Sequence, residues 1–171
     1  MERIEKVLIE IEEEIHASVS DLKKKIKNGE FSDLEESIYE SCQGLKTLEK
    51  DILVISFLRS SFVTASHKFK MATYEGEAFI ERNPPHYFIF LNSLFQLENQ
   101  ELNQFVEKIE KKFANVLASE IEMIRRFYME KLYQASKELF IRGIQKDAES
   151  SKNMKVFFGE EMGEIEEIGE I

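Results

Sequence analysis

Apolar residues recur at three- and four-residue intervals along most of this chain, the spacing of one face of an α-helix. From Glu2 to Lys27 the stripe is Ile4, Leu8, Ile11, Ile15, Leu22 and Ile26. Acids crowd its first half and Lys23, Lys24, Lys25 and Lys27 its last turns, the order a helix dipole favours, and Asn28-Gly29 supplies a left-handed stop. Ser32 with Glu35 forms a capping box that predicts a second helix after a tight turn, antiparallel to the first. From about Glu98 to Lys146, Leu102, Val106, Ile109, Phe113, Val116, Ile124, Phe127, Ala135 and Leu139 predict one long helix. Ser119 with Glu122 marks where it would break if it breaks.

The stretch Asp51 to Tyr74 holds the centre of this pattern. Counted as a helix, it turns Val54, Leu58, Phe62, Ala65, Phe69 and Ala72 to a core and Ser56, Arg59, Ser60, Val63, His67, Lys70, Met71 and Tyr74 to the other side. The preceding stripe of Leu34, Ile38, Leu45, Leu48 and Ile52 points toward that polar side. One helix from Ser32 to Tyr74, about 65 Å long at 1.5 Å per residue, would bury the polar face as a pocket or an interface. A break at Gly44 or Lys50-Asp51 would leave it in water, the usual place for such a face.

Asn83 as N-cap and Pro84 at a first helical position predict a short aromatic-rich helix over about 84–96, reading PHYFIFLNSLF. It is apolar nearly all round, so it is expected in the core or in an interface. The C-terminal KVFFGEEMGEIEEIGEI holds three of the seven glycines and is expected to be loosely held. The fold class read from these patterns is all-α: a bundle of long antiparallel helices, with coiled-coil character, over residues 1–148, and an acidic C-terminal tail over 149–171.

Composition supports the same picture. With 7 Gly and 2 adjacent Pro in 171 residues there is little turn chemistry to punctuate a sheet, and the length suits one domain. No run reaches the ~20 apolar residues of a membrane span, the N-terminal MERIEKVLIEIEEE is too acidic for a signal peptide, and Cys42 stands alone; a cytoplasmic protein without membrane insertion is expected. Cys42 reads as a small core residue. The net charge of −10 argues against nucleic acid as the main partner. The basic stripe of Arg125, Arg126, Lys131, Lys137, Arg142 and Lys146 is interleaved with Glu130 and Glu138, the pattern of a solvated face.

Candidate chemistry is sparse. Glu13-x-x-His16 has the spacing of half a di-iron carboxylate motif, but no second copy occurs, so no metal site and no cofactor is assigned. There is no Gly-rich phosphate loop, no paired Cys or His at zinc spacing and no nucleophile elbow, so no catalytic residue is assigned either. Arg and His on one helix face are the pairing of the HEPN-type helical ribonucleases, whose spacing neither Arg59 with His67 nor Arg82 with His86 reproduces. The leading expectation is an interaction or regulatory protein acting through self-association or a protein partner. A second is a small anionic ligand held along Ser56–Tyr74, with Arg59 and Lys70 as charge partners and Ser60, His67 and Tyr74 as donors, joined by His86. A third, minor reading is a hydrolase or nuclease with His67 as base.

Overall fold

Helices account for 54% of the chain and strands for 20%, so the all-α, coiled-coil bundle expected from periodicity is replaced by a mixed α/β fold. The computed structural model describes residues 3–58, 64, 66–95, 98–147 and 154–171. In chain order these form α1 (Arg3–Lys27), α2 (Ser32–Lys46), β1 (Ile52–Phe57), β2 (Lys68–Tyr74), β3 (His86–Phe90), α3 (Glu98–Lys112), α4 (Ala118–Ile144), a 3-10 turn (Gln145–Asp147), β4 (Lys155–Glu160) and β5 (Ile165–Glu170). The sheet order is β3-β2-β1-β4-β5. β1 and β4 run parallel, and every other neighbouring pair is antiparallel.

The helical reading holds for α1, and α2 begins at Ser32, but without a side-chain cap on α2. Phe31 is the N-cap of α2 and makes no side-chain cap hydrogen bond. Glu35 accepts instead from Arg142 Nε at 2.6 Å, so the capping box does not form. α2 stops at Lys46, and the chain re-enters as β1. The sequence ILVISF is a continuous β-branched and aromatic run, which suits a strand buried on both faces better than a helix. Leu53, Ile55 and Phe57 then face one side, and Val54 and Ser56 the other. β2 reads KFKMATY, with Phe69 and Met71 in the main core and Lys68 and Lys70 half-buried, the two-residue alternation of a strand.

The aromatic helix expected over 84–96 is also overturned. Residues 86–90 are strand β3, because Pro84-Pro85 pre-sets an extended entry and HYFIF is rich in strand-forming side chains. The C-terminal stretch expected to fray supplies β4 and β5. Val156 and Phe158 are fully buried, so this end completes the core. The long C-terminal helix is divided at 113–117, where Asn115 takes φ +54 and the Leu117 N–H donates to Glu120 Oε2 at 2.8 Å, opening α4 close to the Ser119 position.

α4 lies across one face of the sheet, with α1 and α2 packed on it. Phe57, Phe69 and Phe158 from three strands meet Tyr133 and Phe140 of α4, with ring centroids 5.1 to 6.2 Å apart. The cover over Phe57 and Phe69 is therefore α4. Much of the basic stripe on α4 and the 3-10 turn after it ties elements together: Arg142 to Glu35, Lys146 to Glu36 at 2.8 Å, and Lys137 to Glu166 of β5 at 2.8 Å. No helix among the described residues is long and apolar enough to cross a membrane.

Candidate interaction edge

The face of the sheet away from α4 carries a second, smaller apolar cluster. Val54, Ala72 and Tyr74 are buried there, with Ile52, Ala78, Phe79, Phe157 and Ile165 around them. The connection between β2 and β3 folds over the Tyr74 end, and the Phe79 ring meets Tyr74 edge-on at 5.7 Å. Lys50 pins this connection, bonding Glu81 at 3.0 Å and Glu75 at 3.3 Å. The Glu81 bond holds the Lys50 ammonium above its ordinary range, and the Lys50 bond holds the Glu81 carboxyl below its own.

Further down this face Lys70 pairs with Glu161 at 2.9 Å, both half-buried, directly beside buried Ser56. Burial, reinforced by the negative charges of Glu161 and Glu81, pushes the Tyr74 phenol up to about 12. Of the residues singled out in the sequence, Lys70, Tyr74 and His86 thus share one sheet face, while His67 does not. His67 lies among the helices, its ring 4.7 Å from Phe95 and its Nδ1 3.4 Å from the Tyr133 hydroxyl. Its carbonyl accepts from Leu91 N–H at 3.0 Å, closing the lower end of the β2–β3 ladder. Arg59 and Ser60 lie outside the described residues. Lys70 already has a carboxylate partner, Tyr74 sits beneath Phe79, and His86 Nδ1 donates to the Pro84 carbonyl at 2.9 Å. Glu13 and His16 are exposed on α1, and no group of three or more His, Cys, Asp or Glu able to hold a metal occurs among the described residues.

The feature that sequence periodicity missed is the edge strand β3. It lines one side of the sheet, and among the described residues no strand pairs with its outer side. Its register with β2 is regular, from Lys68↔Phe90 to Ala72↔His86. Thr73 N–H donates to Pro85 O at 3.1 Å, and Leu91 N–H to His67 O. Alternation in an antiparallel ladder therefore turns Tyr87 and Ile89 toward β2, and leaves the N–H and C=O groups of His86, Phe88 and Phe90 directed outward.

The side chains match that exposure. Tyr87, Phe88 and Phe90 are 47%, 39% and 54% exposed, and no residue of β3 carries a carboxylate, ammonium or guanidinium. Lys68 of β2 lies with its ammonium 3.6 Å from the Phe88 ring centroid and 5.8 Å from that of Phe90. His86 meets the Phe88 ring edge-on at 4.9 Å.

The opposite edge is built differently. β5 carries exposed Glu166, Glu167 and Glu170, and its register with β4 slips so that Val156 faces Gly169 and Phe157 faces Glu167, leaving Ile168 as the extra residue of a bulge. Charge and a bulge are the devices that keep an edge from pairing, and β3 has neither. Set against known proteins, the chain matches no family model, no curated protein and no solved structure.

Proposed function

We propose that this protein is an interaction module that takes up an extended segment along the outer edge of β3. The observation that carries the reading is the contrast between the two edges of one sheet: β5 is guarded by three glutamates and a bulge, and β3 presents three backbone positions that are unpaired among the described residues and flanked by exposed aromatic rings. Strand addition supplies affinity through main-chain hydrogen bonds and selectivity through alternate side chains. Here the alternate positions are His86, Phe88 and Phe90 on the open face and Tyr87 and Ile89 on the helical face. On this reading the aromatic segment, expected as a helix in the core or in an interface, serves an interface as a strand. The anionic-ligand reading draws less support, since Lys70 is already neutralised by Glu161.

Residue-resolved amide exchange tests the proposal on the full chain, with and without an excess of a soluble extended peptide carrying residues 84–92 between flanking lysines. The amides of His86, Phe88 and Phe90 should slow on peptide addition while those of β5 keep their rates. Unchanged rates on β3 at a concentration where the chain sediments as a monomer, or equal slowing at both edges, would overturn the proposal.

A further inference from the structure

Resting on the reading of β3 as a strand-accepting edge, we infer that its occupant is β3 of a second copy of this chain, antiparallel, with Phe88 on the two-fold axis. The hydrogen-bonding window is symmetric. Its outward residues are His86, Phe88 and Phe90, evenly spaced about Phe88. At one end Pro84 has no N–H and its carbonyl already accepts from His86 Nδ1. At the other end the Leu91 N–H turns inward to His67. A two-fold partner therefore satisfies the whole window: Phe88 exchanges bonds with the second Phe88, and His86 with the second Phe90, in both directions.

Side chains agree with this register. Self-pairing of β3 brings no like charges opposite one another, because the strand carries none. It sets ring against ring at the centre and continues the row of His86, Phe88 and Lys68 across the axis. The guarded β5 edges are then left outermost on both sides, so pairing ends at two copies and does not propagate as a fibre.

The test is sedimentation of the full chain across a concentration series, alongside Phe88→Glu, Phe88→Lys and an equimolar mixture of the two variants. Either variant alone places like charges opposite each other on the axis and should weaken the dimer about tenfold or more. The mixture should restore it as a heterodimer. Phe88→Lys also brings an ammonium beside Lys70, its cross-strand neighbour, so each variant is checked for native circular dichroism. If either fails to fold, the double variant His86→Lys with Phe90→Glu replaces it, which sets an ammonium opposite Ala72 and a carboxylate opposite Lys68 within each chain. Its new charges oppose each other only across the two-fold, and it should dimerise with a salt dependence that the unaltered chain lacks.

A chain that stays monomeric at every concentration, yet still shows peptide protection at His86, Phe88 and Phe90, would overturn the second copy as occupant and leave strand addition standing, with a different protein's strand on the edge. A dimer unaffected by either charge would overturn the two-fold register. If its β3 amides also stay unprotected by peptide, strand addition falls with it.

Discussion

Gly143 of α4 lies so close to Ile38 of α2 that a Cβ on the glycine would stand 2.7 Å from the isoleucine Cγ2 and 3.0 Å from the Glu35 carbonyl oxygen. Two helices approach backbone to backbone here, and Ile38 is fully buried, so it has nowhere to go. Gly143→Ala should therefore destabilise the fold by about 1–3 kcal/mol despite the gain in helix propensity. Gly44 provides the control: its added Cβ would meet the end of the Tyr87 side chain, which is 47% exposed and free to swing. Gly44→Ala should cost nothing, or stabilise by up to about 1 kcal/mol. Urea unfolding of both variants measures the difference.

How much of this was legible in the sequence depends on which period a segment carries. α1 was legible because Ile11, Ile15, Leu22 and Ile26 keep one helical stripe over about four turns, and all are buried. The sheet was not, because Val54, Phe69 and Ala72 also satisfy a helical count by accident. In the strands Phe69 and Ala72 belong to opposite faces. The contrary signal was present in Lys68-Phe69-Lys70-Met71, an alternation of period two, and in the six-residue run ILVISF, too short and too β-branched for a core helix. The same miscount joined His67 to Lys70 and Tyr74. An edge strand is a property of sheet order, so the role of β3 could not be read before β2 had a neighbour.

His67 should matter for folding rather than for binding at the edge. It is buried at φ +42, its ring tilted against Phe95 and beside the Tyr133 hydroxyl. Removing the ring leaves a void in the core and keeps an unfavourable backbone, so His67→Ala should lose roughly 2–3 kcal/mol in chemical denaturation. His67→Asn should recover part of this, since Asn tolerates a left-handed backbone better. Under conditions where His67→Ala remains folded, its β3 amides should respond to the added peptide as the unaltered chain does.

Alkali should weaken the fold through two groups whose contributions two single variants remove separately. Burial pushes the Cys42 thiol up to about 11 from its ordinary value of 9.0, and the Tyr74 phenol up to about 12 from 10.0. Between the ordinary and the raised value the unfolded chain has already lost the proton that the folded chain keeps, so the unfolded state binds fewer protons and stability falls as pH rises. The contribution of each group is fully present below its ordinary value and is lost by its raised one, each on the order of 2 kcal/mol. Urea midpoints followed from pH 8 to 12 should decline throughout this range. Cys42→Ala should flatten the section from 9 to 11, and Tyr74→Phe the section from 10 to 12. At pH 8 the buried, protonated Cys42 should react with a thiol reagent only as fast as the structure opens.

The C-terminal strands should be separable by truncation, because β4 belongs to the core and β5 to its protection. Ending the chain after Asn153 removes Met154, Val156 and Phe158, all nearly or fully buried, and strips β1 of its parallel neighbour. Phe158 alone meets Phe57, Phe69 and Phe140. That shorter chain should show no cooperative unfolding by circular dichroism. Ending after Glu164 keeps β4 and discards only β5, losing Ile168, Ile171 and the Lys137–Glu166 pair from the periphery. This chain should fold with reduced stability, but its new edge is the apolar run Val156-Phe157-Phe158-Gly159, without the glutamates and the bulge that guarded it. An edge of that kind pairs with whatever strand it meets. Sedimentation of the Glu164 truncation should therefore show association that Phe88→Glu no longer suppresses, because the second contact does not pass through β3. A truncated, folded chain that remains monomeric when Phe88→Glu is present would mean that the charges and bulge of β5 are not what keeps that side of the sheet closed.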